Sequence, residues 1–140
     1  MSKNKTIYLA AAAVILIGVT VFFLVSKGTG DSTSGRKEID KNSLVGDWVR
    51  TDASYLIRIS NINNDGSMTA QYFNPNPINV GKANWESSYD NLKITVELRD
   101  INYPGSKYTL SYLPDKDMLA GEYYQAVESL TFYVEFMRRK

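Results

Sequence analysis

The chain has 140 residues, 44% of them hydrophobic, with 16 Lys and Arg against 15 Asp and Glu, which is length for one ordinary domain of nearly balanced charge. It contains no cysteine and no histidine. This excludes disulfides, thiolate metal sites, the usual zinc, haem and copper centres, cysteine nucleophiles and Ser-His-Asp triads.

The same absence removes the lipid-bearing cysteine of a bacterial lipoprotein, so any membrane anchor must be the polypeptide itself. An oxygen-ligand calcium or magnesium site stays open in principle, but no cofactor and no metal is expected. The part after residue 43 carries ten Lys and Arg against twelve Asp and Glu. A mildly acidic domain without a basic stripe argues against a nucleic-acid partner.

Residues 7–25, IYLAAAAVILIGVTVFFLV, form an uncharged run of 19 residues. As a helix this spans about 28 Å, close to the hydrocarbon thickness of a bilayer. The run is longer than the usual core of a cleaved signal peptide, so it reads as an uncleaved signal anchor, with a cleaved signal as the alternative. Lys3, Lys5 and the amino terminus precede it and Lys27 follows it, which favours a cytoplasmic N-terminal tail and an extracytoplasmic (periplasmic or extracellular) C-terminal domain. Residues 26–43 are rich in Gly, Ser, Thr and charge and read as a tether. The expected organisation is therefore a tail over 1–6, a single transmembrane helix over 7–25, a flexible linker over 26–43 and a β-domain over 44–140.

From residue 44 short apolar alternations are punctuated by turns. The pattern predicts strands over 44–50, 54–61, 67–73, 80–86, 92–98, 107–113, 118–125 and 129–138. Asn63-Asn64-Asp65-Gly66 is a hairpin signal. Asn74-Pro75-Asn76-Pro77 reads as a break, because proline donates no ladder hydrogen bond. Residues 92–98 alternate with Leu92, Ile94, Val96 and Leu98 on one face. The fold class that follows is all-β, an eight-stranded antiparallel up-and-down barrel preceded by one transmembrane helix, since closure removes exposed sheet edges. A flattened two-sheet sandwich is the alternative.

Leu44-Val45-Gly46-Asp47-Trp48 places a Gly-x-Trp at the head of the first strand, and Phe132-Tyr133-Val134-Glu135-Phe136-Met137-Arg138 places an arginine late on the last. Together with eight strands this resembles the calycin pattern of lipocalins and avidins. The resemblance implies a barrel closed at one end by Trp48 packed beneath Arg138, the guanidinium stacked on the indole, and a ligand cavity within. Leu119-Ala120-Gly121-Glu122-Tyr123 echoes the glycine-aromatic strands of such barrels. The chain is shorter than most lipocalins and has no evident C-terminal helix, and the biotin contacts of avidins do not map onto it.

The expected barrel interior comprises Trp48, Ile57, Ile59, Ile94, Val96, Tyr108, Leu110, Tyr112, Phe132, Val134 and Phe136. It either fills the space or lines a pocket for one small apolar ligand with tyrosine hydroxyls as polar handles. A second set, Tyr72, Phe73, Trp85, Tyr89, Tyr103, Tyr123, Tyr124 and Tyr133, cannot all point inward and offers a contact surface. Glu122 is of interest only if it faces inward, and Asp115-Lys116-Asp117 reads as a turn. No catalytic residue is expected. The expected function is a non-catalytic accessory or interaction domain tethered to a membrane, with a protein partner. The alternative is a lipocalin-like binder of a small hydrophobic ligand or lipid, and an enzyme of carboxylates and tyrosines ranks last.

Overall fold

The computed structural model describes residues 38–140. The expected membrane-spanning run over 7–25 and most of the expected linker lie outside the described residues. Among the described residues no helix is long and apolar enough to cross a membrane.

The described residues are all-β: β1 Gly46–Arg50, β2 Leu56–Ile62, β3 Met68–Asn74, β4 Asn76–Ile78, β5 Val80–Ser88, β6 Asn91–Asp100, β7 Tyr103–Leu113, β8 Met118–Gln125 and β9 Leu130–Arg138, after a short 3-10 turn at Lys41–Leu44. These nine strands form one antiparallel sheet in the order β4-β3-β2-β1-β9-β8-β7-β6-β5. Every neighbour is the next strand in sequence except β1 and β9, which meet through Trp48↔Arg138 and Arg50↔Phe136. The ends of the sheet approach each other through a bridge between Ser67 and Asn84 and a bond from Trp85 N–H to the Gly66 carbonyl at 2.8 Å. The result is a nearly closed barrel.

Nine strands replace the eight expected because Pro75 and Pro77 do not end the ladder. Pro75 sits at the apex of a tight hairpin in which Asn74 faces Asn76 and Phe73 faces Pro77. β4 is the terminal strand of the sheet, where a missing N–H costs no ladder bond. The first strand starts at Gly46 rather than residue 44. Leu44 is instead fully buried in the 3-10 turn, whose start is capped by the Asp40 carboxylate accepting from Asn42 N–H at 2.9 Å. β7 extends back through Pro104 and Gly105, ahead of the start at residue 107 that the alternation predicts.

The strands run between two ends of different character. β1 leads from Gly46 at one end to Arg50 at the other, and β9 returns from Leu130 to Arg138. At the Gly46 end the core is solid. Leu44, Trp48, Ile57, Ile94, Leu110, Leu119 and Phe136 are all inaccessible to solvent, and Val96 and Leu98 continue the buried face of β6 toward the other end. Period-2 alternation drives this, since each strand buries one face and wets the other. The glycine of the Gly-x-Trp motif has a definite task here. A Cβ on Gly46, which also has φ +142°, would stand 2.5 Å from Arg138 Nη1. The guanidinium occupies the space a side chain would take.

Candidate functional site

Two arginines point into the barrel, one at each end. At the closed end Arg138 lies over the Trp48 indole, its Cζ 4.2 Å from the ring centroid. Its Nε donates to Asp117 Oδ2 at 2.7 Å, Nη2 to Asp117 Oδ1 at 3.0 Å and to the Ser43 carbonyl at 2.6 Å, and Nη1 to the Val45 carbonyl at 2.7 Å. Trp48 Nε1 donates to the Leu44 carbonyl at 2.9 Å. Tyr112 meets Trp48 edge-on and donates to Asp117 Oδ1 at 3.0 Å. The Arg138 hydrogen bond holds the Asp117 carboxyl below its usual range, against the opposing effect of burial. The guanidinium nitrogens, the indole N–H and the Tyr112 hydroxyl are all engaged with one another or with Asp117 and backbone carbonyls, so this end of the barrel is plugged by its own side chains. The clefts near it, beside Ser43 and Tyr112 and beside Trp85, lie outside the plug.

At the other end the barrel opens into a cleft of about 330 Å3. Arg50, two residues beyond Trp48 and so on the same face of β1, projects into it with a side chain 13% exposed. Five tyrosines surround it, Tyr55, Tyr72, Tyr103, Tyr108 and Tyr123, with Asn74, Asn102, Gln125 and Phe132 completing the wall. The rings pack against one another: Tyr108 stacks on Tyr123 at 4.5 Å and meets Phe136 edge-on, while Tyr72 sits edge-on to both Tyr55 and Tyr103. Tyr72 and Tyr108 share a hydrogen bond of 3.0 Å between their hydroxyls, and the Asn74 amide donates to the Tyr103 hydroxyl at 2.6 Å.

Burial pushes the phenols of Tyr72 and Tyr108 far above their ordinary value, so both stay neutral donors across the physiological range. For Tyr108 the Tyr72 hydroxyl and the Arg50 charge pull the other way without reversing the shift. Burial works against the Arg50 cation, yet the bond to Asp52 and the nearby Tyr108 oxygen outweigh it. Arg50 also lies over Tyr55, Cζ 5.3 Å from the ring centroid.

Of the interior residues expected from the sequence, Trp48, Ile57, Ile59, Ile94, Val96, Tyr108, Leu110, Tyr112, Val134 and Phe136 are buried, and they form a filled core rather than a through-going cavity. Only Tyr108 also lines the cleft. Phe132 is the exception, at 43% exposed. It keeps the inward parity of Val134 and Phe136, but, like Leu130 two residues before it, it stands at the mouth end of β9 on the rim of the cleft.

Two of the presumed surface aromatics are interior: Tyr72 and Tyr123 are buried and form part of the cleft. Tyr89, Tyr124 and Tyr133 are exposed, and Glu122 faces solvent. Arg50, Tyr55, Asn74 and Gln125 were not anticipated at a site. The signal was present for Arg50, whose parity with Trp48 places it inside; its charge argues for the surface and hides it.

The fold and the site together define an all-antiparallel, nearly closed small barrel, plugged at one end and carrying a polar aromatic cleft at the other. Among the described residues no three acidic side chains gather to hold a metal ion. No known protein family, characterised protein or solved structure matches the chain.

Proposed function

We propose that this chain is a non-catalytic binding module of calycin-like build, held at a membrane by residues 7–25 with its barrel outside the cytoplasm, and that it takes one small ligand at the barrel mouth. The observation that carries the reading is the convergence of Arg50 and five tyrosines on one open cleft, beside an interior that is otherwise solid. Pockets of a few hundred Å3 with aromatic walls and a few convergent polar groups are the usual form of a small-molecule site. The Gly46-x-Trp48 strand beneath Arg138 supports the calycin-like build. The first described residues lie at the plugged end, where Lys41 Nζ sits over the Trp85 ring and bonds the Asn64 side chain, and do not line the mouth.

The test is native mass spectrometry of the full-length protein, extracted gently from its own membrane. A discrete added mass that leaves on denaturation, and that is absent from Asn102→Trp, supports the mouth as the site. Asn102 lines the cleft from an exposed turn, so a bulky residue there blocks the mouth without entering the core. An added mass that persists in Asn102→Trp places the ligand elsewhere.

A second reading, an accessory domain docking on a protein partner, rests on a different face. Tyr133 and Met137 on the outside of β9 are 69% and 52% exposed, and Tyr124 on β8, paired with Thr131, lies diagonally beside Tyr133. Exposed aromatic and Met side chains are enriched at protein contacts. Co-purification of another polypeptide at fixed stoichiometry, lost in Tyr133→Ser, favours this reading over the first.

A further inference from the structure

The cleft's chemistry narrows what it takes. Resting on the mouth as the ligand site, we infer that the ligand is a small organic anion, an oxyanion head (carboxylate or phosphate) on a compact aromatic or aliphatic body, and that its head competes with Asp52 for the Arg50 guanidinium.

Three observations carry this. First, the cleft is lined by one cation, Arg50, and by no carboxylate. Its other polar groups are tyrosine hydroxyls and amides. A guanidinium 13% exposed in such surroundings needs an anion for company, because a buried unpaired charge is costly.

Second, the anion it has is a poor fit. Asp52 sits two residues along in the β1–β2 turn, 63% exposed and absent from the cleft wall. Arg50 Nη2 donates to Asp52 Oδ2 at 3.0 Å, but the buried Nε–H, although 2.6 Å from Oδ1, is not directed at it and makes no hydrogen bond. The outer-surface pair of Arg58 with Asp47 shows what a matched fork looks like in the same barrel: Nε to Oδ1 at 2.7 Å and Nη2 to Oδ2 at 2.8 Å, both true bonds. A planar guanidinium presents paired donors to a carboxylate or phosphate. Arg50 therefore keeps unused capacity for a second, better-placed oxyanion, and its present partner hangs on an exposed turn that can release it.

Third, the walls suit an apolar body of modest size. Tyr55, Tyr103 and Phe132 offer ring faces and edges around the Arg50 head, and about 330 Å3 leaves room for a single ring or short chain rather than a long lipid.

The experiment titrates the folded protein in a mild detergent with benzoate, phenyl phosphate and hexanoate, and with benzyl alcohol and hexanol as neutral counterparts. Binding is followed through the Arg50 Nε–H and tyrosine ring resonances by NMR. The expected result is saturable shifts at the mouth for an anion, at least tenfold weaker for its neutral counterpart. Arg50→Gln should abolish that preference and Arg50→Lys retain part of it. Asp52→Asn, an exposed change that leaves the core untouched, should tighten anion binding several-fold by removing the internal competitor. The relative affinities of benzoate and phenyl phosphate decide which head is preferred.

Neutral and charged probes binding equally at the mouth, or Asp52→Asn weakening the anion, overturns the anion inference and leaves the mouth as a ligand site. No saturable shift at the mouth with any probe overturns both.

Discussion

The two ends of the barrel each present an inward arginine to an aromatic cluster, and they differ in how fully that arginine is used. Arg138 is anchored by four hydrogen bonds and stacked on Trp48. The Arg50 guanidinium has one well-directed side-chain hydrogen bond, to a residue of an exposed turn, beside its contacts with the Tyr108 oxygen and the Tyr55 ring. The partners of Arg138 come from three places in the chain, namely Ser43 and Val45 ahead of β1, Trp48 within it and Asp117 in the β7–β8 turn. They tie the entry, the turn and the last strand into one unit. Arg50 ties nothing distant together. The same chemical group is thus structural where its donors are saturated and available where they are not.

The sharpest way to break this contrast is by stability. Trp48→Ala removes the largest wholly buried side chain at the plug and should destabilise the domain by about 3–5 kcal/mol in urea unfolding. Arg50→Gln, at the mouth, should cost no more than about 1 kcal/mol, since its pairing to Asp52 is exposed on one side. Comparable losses from the two changes would mean that the mouth is as much a structural joint as the plug.

Alkali should attack the mouth first. Tyr72 and Tyr108 have folded-state pKa values far above the roughly 10 of a free phenol, because burial disfavours the phenolate. Their contribution to stability is present in full below that free value and is lost as pH rises from it toward the folded values. Each group steepens the decline by about 1.4 kcal/mol per pH unit above about pH 10. Alkaline titration of urea midpoints should show this slope, and Tyr72→Phe should remove one group's share. An unchanged slope in that variant would mean that Tyr72 ionises without unfolding.

How much of this was legible beforehand depends on the residue type. Leu92, Ile94, Val96 and Leu98 announce β6 by alternation alone, and Val134 and Phe136 do the same for β9, because an aliphatic or phenyl side chain has only one comfortable side of a sheet. Tyrosine is at home on both sides, so Tyr72 and Tyr123 could not be distinguished from Tyr124 and Tyr133 without the pairings that set them opposite Ile57 and Tyr108. The candidate site is built almost wholly from such ambivalent residues and one inward charge, and this explains why the barrel was readable and its mouth was not. Pro77 concealed β4 for a different reason: proline excludes a central strand but not a terminal one.

Gly46 offers a finer cut at the plug. Gly46→Ala sets a methyl against Arg138 Nη1 and places a side chain at φ +142°, so it should cost about 1–3 kcal/mol. If the clash with the guanidinium is the main part, the cost should shrink in the Arg138→Met background, a non-additivity expected of groups in direct contact. Full additivity would assign the cost to the backbone instead.

The smallest effect expected is at the acid side of the plug. Arg138 holds the Asp117 carboxyl below its unfolded value, so the pair contributes stability above about pH 4 and loses it as pH falls through the lowered folded value. Asp117 is 46% exposed and Arg138 27%, so solvent screens the pair, and Asp117→Asn should cost about 1 kcal/mol at neutral pH and almost nothing at pH 2. The stability difference between wild type and Asp117→Asn, measured across that interval, isolates this pair from Asp47 and Asp52, whose carboxyls are lowered by Arg58 and Arg50 in the same range. A difference that persists undiminished at pH 2 would mean that Asp117 holds the plug through its Tyr112 hydroxyl bond and turn geometry, where it has φ +46°, rather than through its charge.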